Sequence, residues 1–392
     1  MGLSVAGRTT KFFYAFVACA LIVFVVYFNE VDFESIRAFI DRRSLTEPQK
    51  LFVTEPENLP SEAYKLLDSG IEIQNAQTEF NIETDTNETD TFEEPRIGDK
   101  HIICLETRCL LNRKYYNYKG LLLHPRQVCS LESAARMNPD YKVYLMYSCP
   151  IIGGLEKSKE FVKALLIYPN VKLWRLNVTD QLLRSPLKGW NFRAAIRSSY
   201  WPNEHASDVL RLLTLWKYGG TYMDLDVIVL KSFADLGSNY IGMQSSQFLA
   251  NGVMNFAHEG VGHELTTKLL LDLRDNFRGD LWTQNGASLI GRVMLEFCGV
   301  HEILDLYVKR CKGFNFLHPE EFYAVSYPAW RRFFDESESY KVIQAIKDSH
   351  GAHFWNKLSK GATVRLGSNQ AFSIMALRSC PRLFERVEGG IM

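Results

Sequence analysis

Between Ala206 and Lys231 the chain reads as a helix, a break and a buried strand in immediate succession, an order that few folds accommodate. Val209, Leu212, Leu213 and Trp216 recur at helical spacing, with Ser207 placed to cap the first turn. Gly219-Gly220 ends the helix and permits positive φ, and an apolar strand follows at once. A helix feeding directly into a buried strand belongs to layered α/β folds, whose ligand clefts open at strand ends. Asp224 and Asp226 stand at the head of that strand. Two apart on an extended segment, they point to one face and can both reach one hard cation, directly or through water. Like charges so close are costly unless something positive lies between them, and a divalent metal bridging a nucleotide diphosphate would supply that charge. The same letters also occur as a solvated strand end, so the pair gains meaning only from its surroundings.

The surroundings keep the same rhythm. His101–Glu106 reads as a strand, 130–137 as a helix, 141–147 as a strand, 157–166 as a helix and 171–176 as a strand. This alternation, without an internal repeat, predicts a single layered α/β domain over residues 101–392.

Residues 12–28 carry no charge and span roughly 26 Å as a helix, enough for a thin bilayer. Arg8 and Lys11 precede them and Glu30, Asp32 and Glu34 follow, which predicts a cytoplasmic tail over 1–11, a signal anchor over 12–28 and a luminal remainder. A cleaved signal peptide is the rival, since Ala18-Cys19-Ala20 resembles a cleavage site. Residues 29–100 read as a stem: 79–95 hold seven acidic residues and no basic one, too little apolar surface to fold alone. The sequons at Asn87 and Asn177 fit a luminal setting. Seven cysteines lie beyond the anchor, and in an oxidising lumen Cys298 with Cys311, and Cys109 with Cys129, are plausible pairs. Basic and acidic residues balance at 45 each, which argues against a nucleic-acid partner.

Residues 206–211 (ASDVLR) and 218–226 (YGGTYMDLD), together with Glu132-Ser133-Ala134-Ala135-Arg136, Asn251-Gly252, Trp282, Asn285-Gly286 and 353–357 (HFWNK), resemble the DXD-containing retaining glycosyltransferases. Within that group the similarity, from about 101 to 381, is to the α1,4-galactosyltransferases and α1,4-N-acetylglucosaminyltransferases of the animal Golgi. The resemblance implies a GT-A-like domain on a single-pass type II Golgi membrane protein. It further implies a manganese or magnesium cofactor, a UDP-sugar donor and a glycolipid or glycan acceptor, in glycosphingolipid synthesis.

The same resemblance distributes roles. Asp208 and Arg211 are expected on the ribose and uracil side of the donor, and Tyr222 is expected to stack on or bond the nucleotide. Asp226 is the stronger metal ligand, Asp224 helps hold the ion while contacting sugar or ribose, and His353 completes the metal shell. Asn251 and Asn285 are expected to line the donor-sugar and acceptor cleft. Ala287 stands where relatives commonly carry proline. No carboxylate outside the pair stands out as a nucleophile, so front-face attack and a covalent adduct both stay open. Beside active transfer stand two other readings: an inactive relative acting as a binding or chaperone partner, and a metal-dependent phosphoryl-transfer or hydrolytic enzyme.

Overall fold

The computed structural model describes residues 93–108, 121–148, 156–309 and 311–392. The expected tail and anchor, the expected stem up to residue 92, the Asn87 sequon, Cys109 and Cys149 lie outside them. Among the described residues no helix is long and apolar enough to cross a membrane.

A seven-stranded mixed sheet organises the body. Its strands are β1 (His101–Glu106), β2 (Lys142–Tyr147), β3 (Val171–Arg175), β4 (Gly220–Met223), β6 (Tyr240–Ser245), β7 (Phe248–Phe256) and β8 (Asn315–Leu317), and β5 (Val227–Val229) with β9 (Gly351–His353) forms a separate two-stranded sheet. The large sheet runs β3-β2-β1-β4-β7-β6-β8. Its first four strands are parallel, β7 is antiparallel to both neighbours, and β8 runs parallel to β6.

Both faces are covered, which explains why the strands read as continuous apolar runs. Ile102 and Cys104 of β1 pack into one core, while Ile103 and Leu105 pack into the other. Six helices of nine residues or more are described: α1 (Pro125–Met137), α2 (Glu156–Leu166), α3 (Pro202–Tyr218), α4 (Gly260–Asp275), α5 (Ala287–Cys298) and α6 (Ala371–Ser379). Helices α1, α2 and α6 cover the first face with the small sheet, and α3, α4 and α5 cover the second.

Local chemistry sets several boundaries away from those expected. Helix α1 begins at residue 125 rather than 130, because proline is favoured at the first helical position, where its missing N–H leaves no bond unmade. Helix α3 starts at Pro202 behind Trp201, so Ser207 lies inside the helix and does not cap it. Its far end is as the sequence indicates: Gly219 and Gly220 adopt φ of 70° and 82°. A Cβ on Gly219 would meet the His258 nitrogen at 2.7 Å, and one on Gly220 would meet the His101 ring at 2.4 Å, so glycine is required there by conformation and by space. Residues just before β1, expected to end the stem, are docked on the body: Lys142 bonds Glu93 and Asp99, and Lys217 and Tyr218 bond Glu94.

Helix α1 is the scaffold's polar hub. Glu132, 1% exposed, accepts hydrogen bonds from the Tyr168 hydroxyl and from the backbone N–H groups of Arg382 and Leu383. Ser130 donates to the Leu225 carbonyl between the two aspartates, and Ser133 accepts from the Val229 amide of β5. A disulfide joins Cys129 of α1 to Cys380 after α6, and a second joins Cys298 to Cys311. The expected Cys109–Cys129 pair is therefore replaced by a long-range bridge that the spacing of cysteines cannot reveal. Cys104 is free and buried in β1.

The two bridges close loops of very different size, with separations of 251 and 13 residues. Replacing Cys380 by serine is expected to cost about 2–5 kcal/mol, and replacing Cys311 less, as measured by urea unfolding of each variant.

Candidate active site

Strand β4 stops at Met223, and Asp224, Leu225 and Asp226 form the turn into β5 instead of lying on one strand as expected. The chain leaves the large sheet for the small one here, and the carboxylates are aimed by their bonds rather than by strand alternation. The Asp224 N–H donates to the Gly252 carbonyl of β7 at 2.8 Å, and the Asp226 carbonyl accepts from the Phe354 N–H at 2.9 Å. Val227 pairs with His353 across the small sheet. Three segments distant in sequence, carrying Asp224 with Asp226, Gly252 and His353, thus meet at one place.

Asp224, Asp226 and His353 offer one ligand atom each within 4.8 Å of one another. Two carboxylate oxygens and an imidazole nitrogen are a donor set that suits a first-row divalent cation such as manganese. His353 Nε2 lies 3.1 Å from Asp226 Oδ1, and Asp226 Oδ2 accepts from the Asn356 N–H at 2.9 Å. Trp355, at φ 55° in the left-handed region, makes the turn that delivers that amide, and its own N–H faces His353 Nδ1 at 3.2 Å.

Asp224 is braced from the opposite side. The Tyr222 hydroxyl donates to its Oδ1 at 2.6 Å, and Arg211 Nη1 lies 3.2 Å from the same oxygen. The Arg211 guanidinium stacks 4.5 Å from the Tyr222 ring centroid, donates to the Asn251 carbonyl at 2.7 Å and to Ser207 Oγ at 3.1 Å, and pairs with Asp208 at 3.4 Å. Asn251 Nδ2 in turn donates to Asp208 Oδ1 at 2.8 Å. Asp208, Arg211, Tyr222, Asn251 and Asp224 therefore form one network that runs into the Asp224–Asp226–His353 cluster.

Asn285 does not join it. Its amide is turned onto the Arg278 backbone, with Oδ1 accepting from the N–H and Nδ2 donating to the carbonyl, so it ties a loop and cannot line the cleft. The neighbouring glycine makes the approach instead: a Cβ on Gly286 would sit 2.4 Å from Asn251 Nδ2 and 2.9 Å from Asp208 Oδ1. Ala287 is the first residue of α5, a position that accepts proline and alanine alike, so the departure from the family's letter leaves the helix unchanged. Ser207, Gly252 and Tyr323 escaped the sequence reading. Ser207 stood inside a quoted motif as a helix cap, Gly252 stood inside one without a role, and Tyr323 carried no signal at all.

Electrostatics follow from burial and pairing. Burial raises the Asp224 carboxyl above the usual carboxylate range, with Arg211 opposing and Asp226 adding to the rise. Burial likewise raises Asp208 against Arg211. For Asp226 burial acts upward too, but the charge and hydrogen bond of His353 and the Asn356 amide outweigh it and hold the group low. Burial disfavours a charged His353, yet Asp226 and Asp224 outweigh it and hold the imidazole above its usual value.

Sequence comparison agrees with this geometry. A family described as the glycosyltransferase sugar-binding region containing the DXD motif matches residues 124–247, and the α1,4-glycosyltransferase conserved region matches 258–387. Mouse lactosylceramide 4-alpha-galactosyltransferase is 30% identical over 255 residues, which span 65% of this chain and 69% of its own. Human alpha-1,4-N-acetylglucosaminyltransferase is 30% identical over 264 residues, 65% of this chain and 74% of its own. A solved PaToxG glycosyltransferase covers 84% of this chain and 100% of its own at 15% identity and a TM-score of 0.38. The class is thus that of enzymes transferring sugars, with a DXD sugar-binding region. This chain belongs to the α1,4-glycosyltransferase family.

Two outcomes follow from the network. Arg211→Leu strands Asp208 and Asp224 as buried, uncompensated charges and should cost about 3–5 kcal/mol in urea unfolding. Without metal, the Asp226–His353 pair should stabilise the fold most between about pH 4 and 6.5. Its contribution is lost in acid as the depressed Asp226 protonates, and lost in base as pH rises through the raised His353 value. His353→Gln should therefore flatten the alkaline fall of melting temperature with pH, whereas manganese, which needs neutral imidazole, should stabilise the wild-type chain more at pH 8 than at pH 6.

Proposed function

We propose that this chain is a retaining transferase that moves galactose or an N-acetylhexosamine from a UDP-sugar to a glycolipid or glycan acceptor in α1,4 linkage, in glycosphingolipid synthesis. The observation that carries the reading is the convergence of Asp224, Asp226 and His353 beside the Arg211 network, in a chain of this family. The names of the relatives, a lactosylceramide galactosyltransferase and an N-acetylglucosaminyltransferase, support the two donor sugars and the glycolipid acceptor. The uncharged segment 12–28 supports a type II Golgi membrane setting, which keeps enzyme and lipid substrate on one surface.

Asp224, Asp226 and His353 are the residues that would hold a divalent ion. When bound, the ion offsets charge on the departing nucleotide diphosphate, where electrostatic stabilisation contributes most. The protein's own part is preorganisation. Tyr222 and Arg211 fix Asp224, while the Asn356 amide and His353 fix Asp226, so neither carboxylate has to be reoriented when the donor enters. Asp208 and Arg211 are then the floor of the nucleotide side, with Asn251 holding the carboxylate in place.

The acceptor side is aromatic. Trp282 is 41% exposed, meets Trp201 edge-on at 5.3 Å, and carries the Lys357 ammonium 5.1 Å from its ring centroid. Lys357 pairs with Glu204 of α3 and follows Asn356, whose amide holds Asp226. An exposed indole framed by an ion pair suits the apolar face and hydroxyl rim of a sugar ring.

The full chain in detergent, given manganese and a panel of UDP-sugars with glycolipid headgroup acceptors, should release UDP from one donor in an acceptor-dependent way. Asp226→Asn should lower that rate at least a hundredfold, in keeping with the loss of a major electrostatic element. Trp282→Ala should raise the acceptor KM several-fold and leave the donor KM unchanged. Manganese-dependent UDP release that needs no acceptor would instead favour a hydrolytic enzyme.

A further inference from the structure

Tyr323 carries a hydroxyl whose proton the fold leaves without an acceptor. The residue is 3% exposed and its oxygen is buried; the Val253 backbone N–H points at that oxygen from outside strict hydrogen-bond geometry, and no acceptor lies within reach of the hydroxyl proton. A buried, unsatisfied hydroxyl is unfavourable, so phenylalanine would serve the core better unless something else uses the oxygen.

The hydroxyl is aimed at the metal-ligating cluster. Its ring centroid lies 5.3 Å from that of His353 and 5.6 Å from that of Trp355. A Cβ added to Gly252 would sit 2.9 Å from the Tyr323 oxygen, 2.8 Å from Asp224 Oδ2 and 3.5 Å from His353 Cδ2. The phenol, the carboxylate and the imidazole thus border one small space, tighter than a methyl group needs, that exists because residue 252 has no side chain. The ring is anchored from both sides: the Tyr323 N–H donates to the Pro319 carbonyl, and the Phe322 carbonyl accepts from the His353 N–H.

We propose that Tyr323 is a ligand-binding residue of this site, its hydroxyl donating a hydrogen bond to a diphosphate oxygen of the nucleotide sugar in the space above Gly252. A phenol suits that task. The aspartates at this spot accept hydrogen bonds but have none to donate, and an uncharged donor adds a hydrogen bond without competing for the cation. The role rests on the nucleotide-sugar reading given above and adds to it a contact the sequence did not suggest.

Tyr323→Phe tests it with two readouts on the full chain in detergent: the melting temperature without ligand, and the calorimetric affinity for UDP in the presence of manganese chloride. The expected result is an unchanged or higher melting temperature with UDP affinity weakened about tenfold or more, the effect of losing a hydrogen bond to a charged group. Gly252→Ala, whose methyl fills the space, should weaken UDP binding in the same assay while the chain stays folded. A lower melting temperature with unchanged UDP affinity in Tyr323→Phe would make the residue structural and overturn the proposal. A loss seen with the UDP-sugar but not with UDP would move the contact to the sugar and overturn the diphosphate assignment. Absence of any UDP binding by the wild-type chain would overturn the nucleotide-sugar reading itself, and this assignment with it.

Discussion

One guanidinium holds the site together. Arg211 lies between Asp208 and Asp224, stacks on Tyr222 and bonds the Asn251 carbonyl, all with its side chain 7% exposed. Two carboxylates in so dry a setting would otherwise repel or take up protons. A planar fork that is always charged can serve both acids and a carbonyl at once, which an ammonium could not do with fixed geometry. Because Arg211 comes from α3, Asp224 from the β4–β5 turn and Asn251 from β7, the ion pairing also fixes how helix and strands meet. The sheet order that sets β4 between β1 and β7 is what makes this contact possible.

The polar residues of α1 do a different job. Glu132, Ser130 and Ser133 hold the backbone on which the candidate site is built: the Leu225 carbonyl, the Val229 amide and the start of the final short helix. Buried side chains that bond backbone positions are what a turn needs when it leaves one sheet for another, since its own amides find no ladder there. A motif shared with relatives can thus serve geometry rather than chemistry.

The strands and helices around β1 to β3 were legible to within a residue at most ends because both faces of the sheet are buried and the apolar runs are uninterrupted. Asp224, Asp226 and His353 were legible as a set only through resemblance, since the separation of His353 from the aspartates is closed by pairing of β5 with β9, and three-residue strands leave almost no periodic signal. Ser207 misled for a related reason: serine is a good cap in general, but here its hydroxyl serves Arg211 in mid-helix. Asn285 misled because a buried amide that ties a loop and one that binds a sugar have the same letter. Cys129 misled because proximity in sequence says nothing about a bridge to the far end of the chain.

That bridge, with β9, makes the molecule's order of assembly lopsided. Strands β1 to β4, β6 and β7 carry most of the large sheet, but His353, the Asn356 amide and the Cys380 sulfur all come later in the chain and leave the ribosome after those strands. A nascent chain can therefore build the hydrophobic body while its two aspartates still lack their histidine and their covering segment. The Asp224–Asp226–His353 cluster is in this sense a closing stitch, completed only when the two ends of the folded domain have been sewn together.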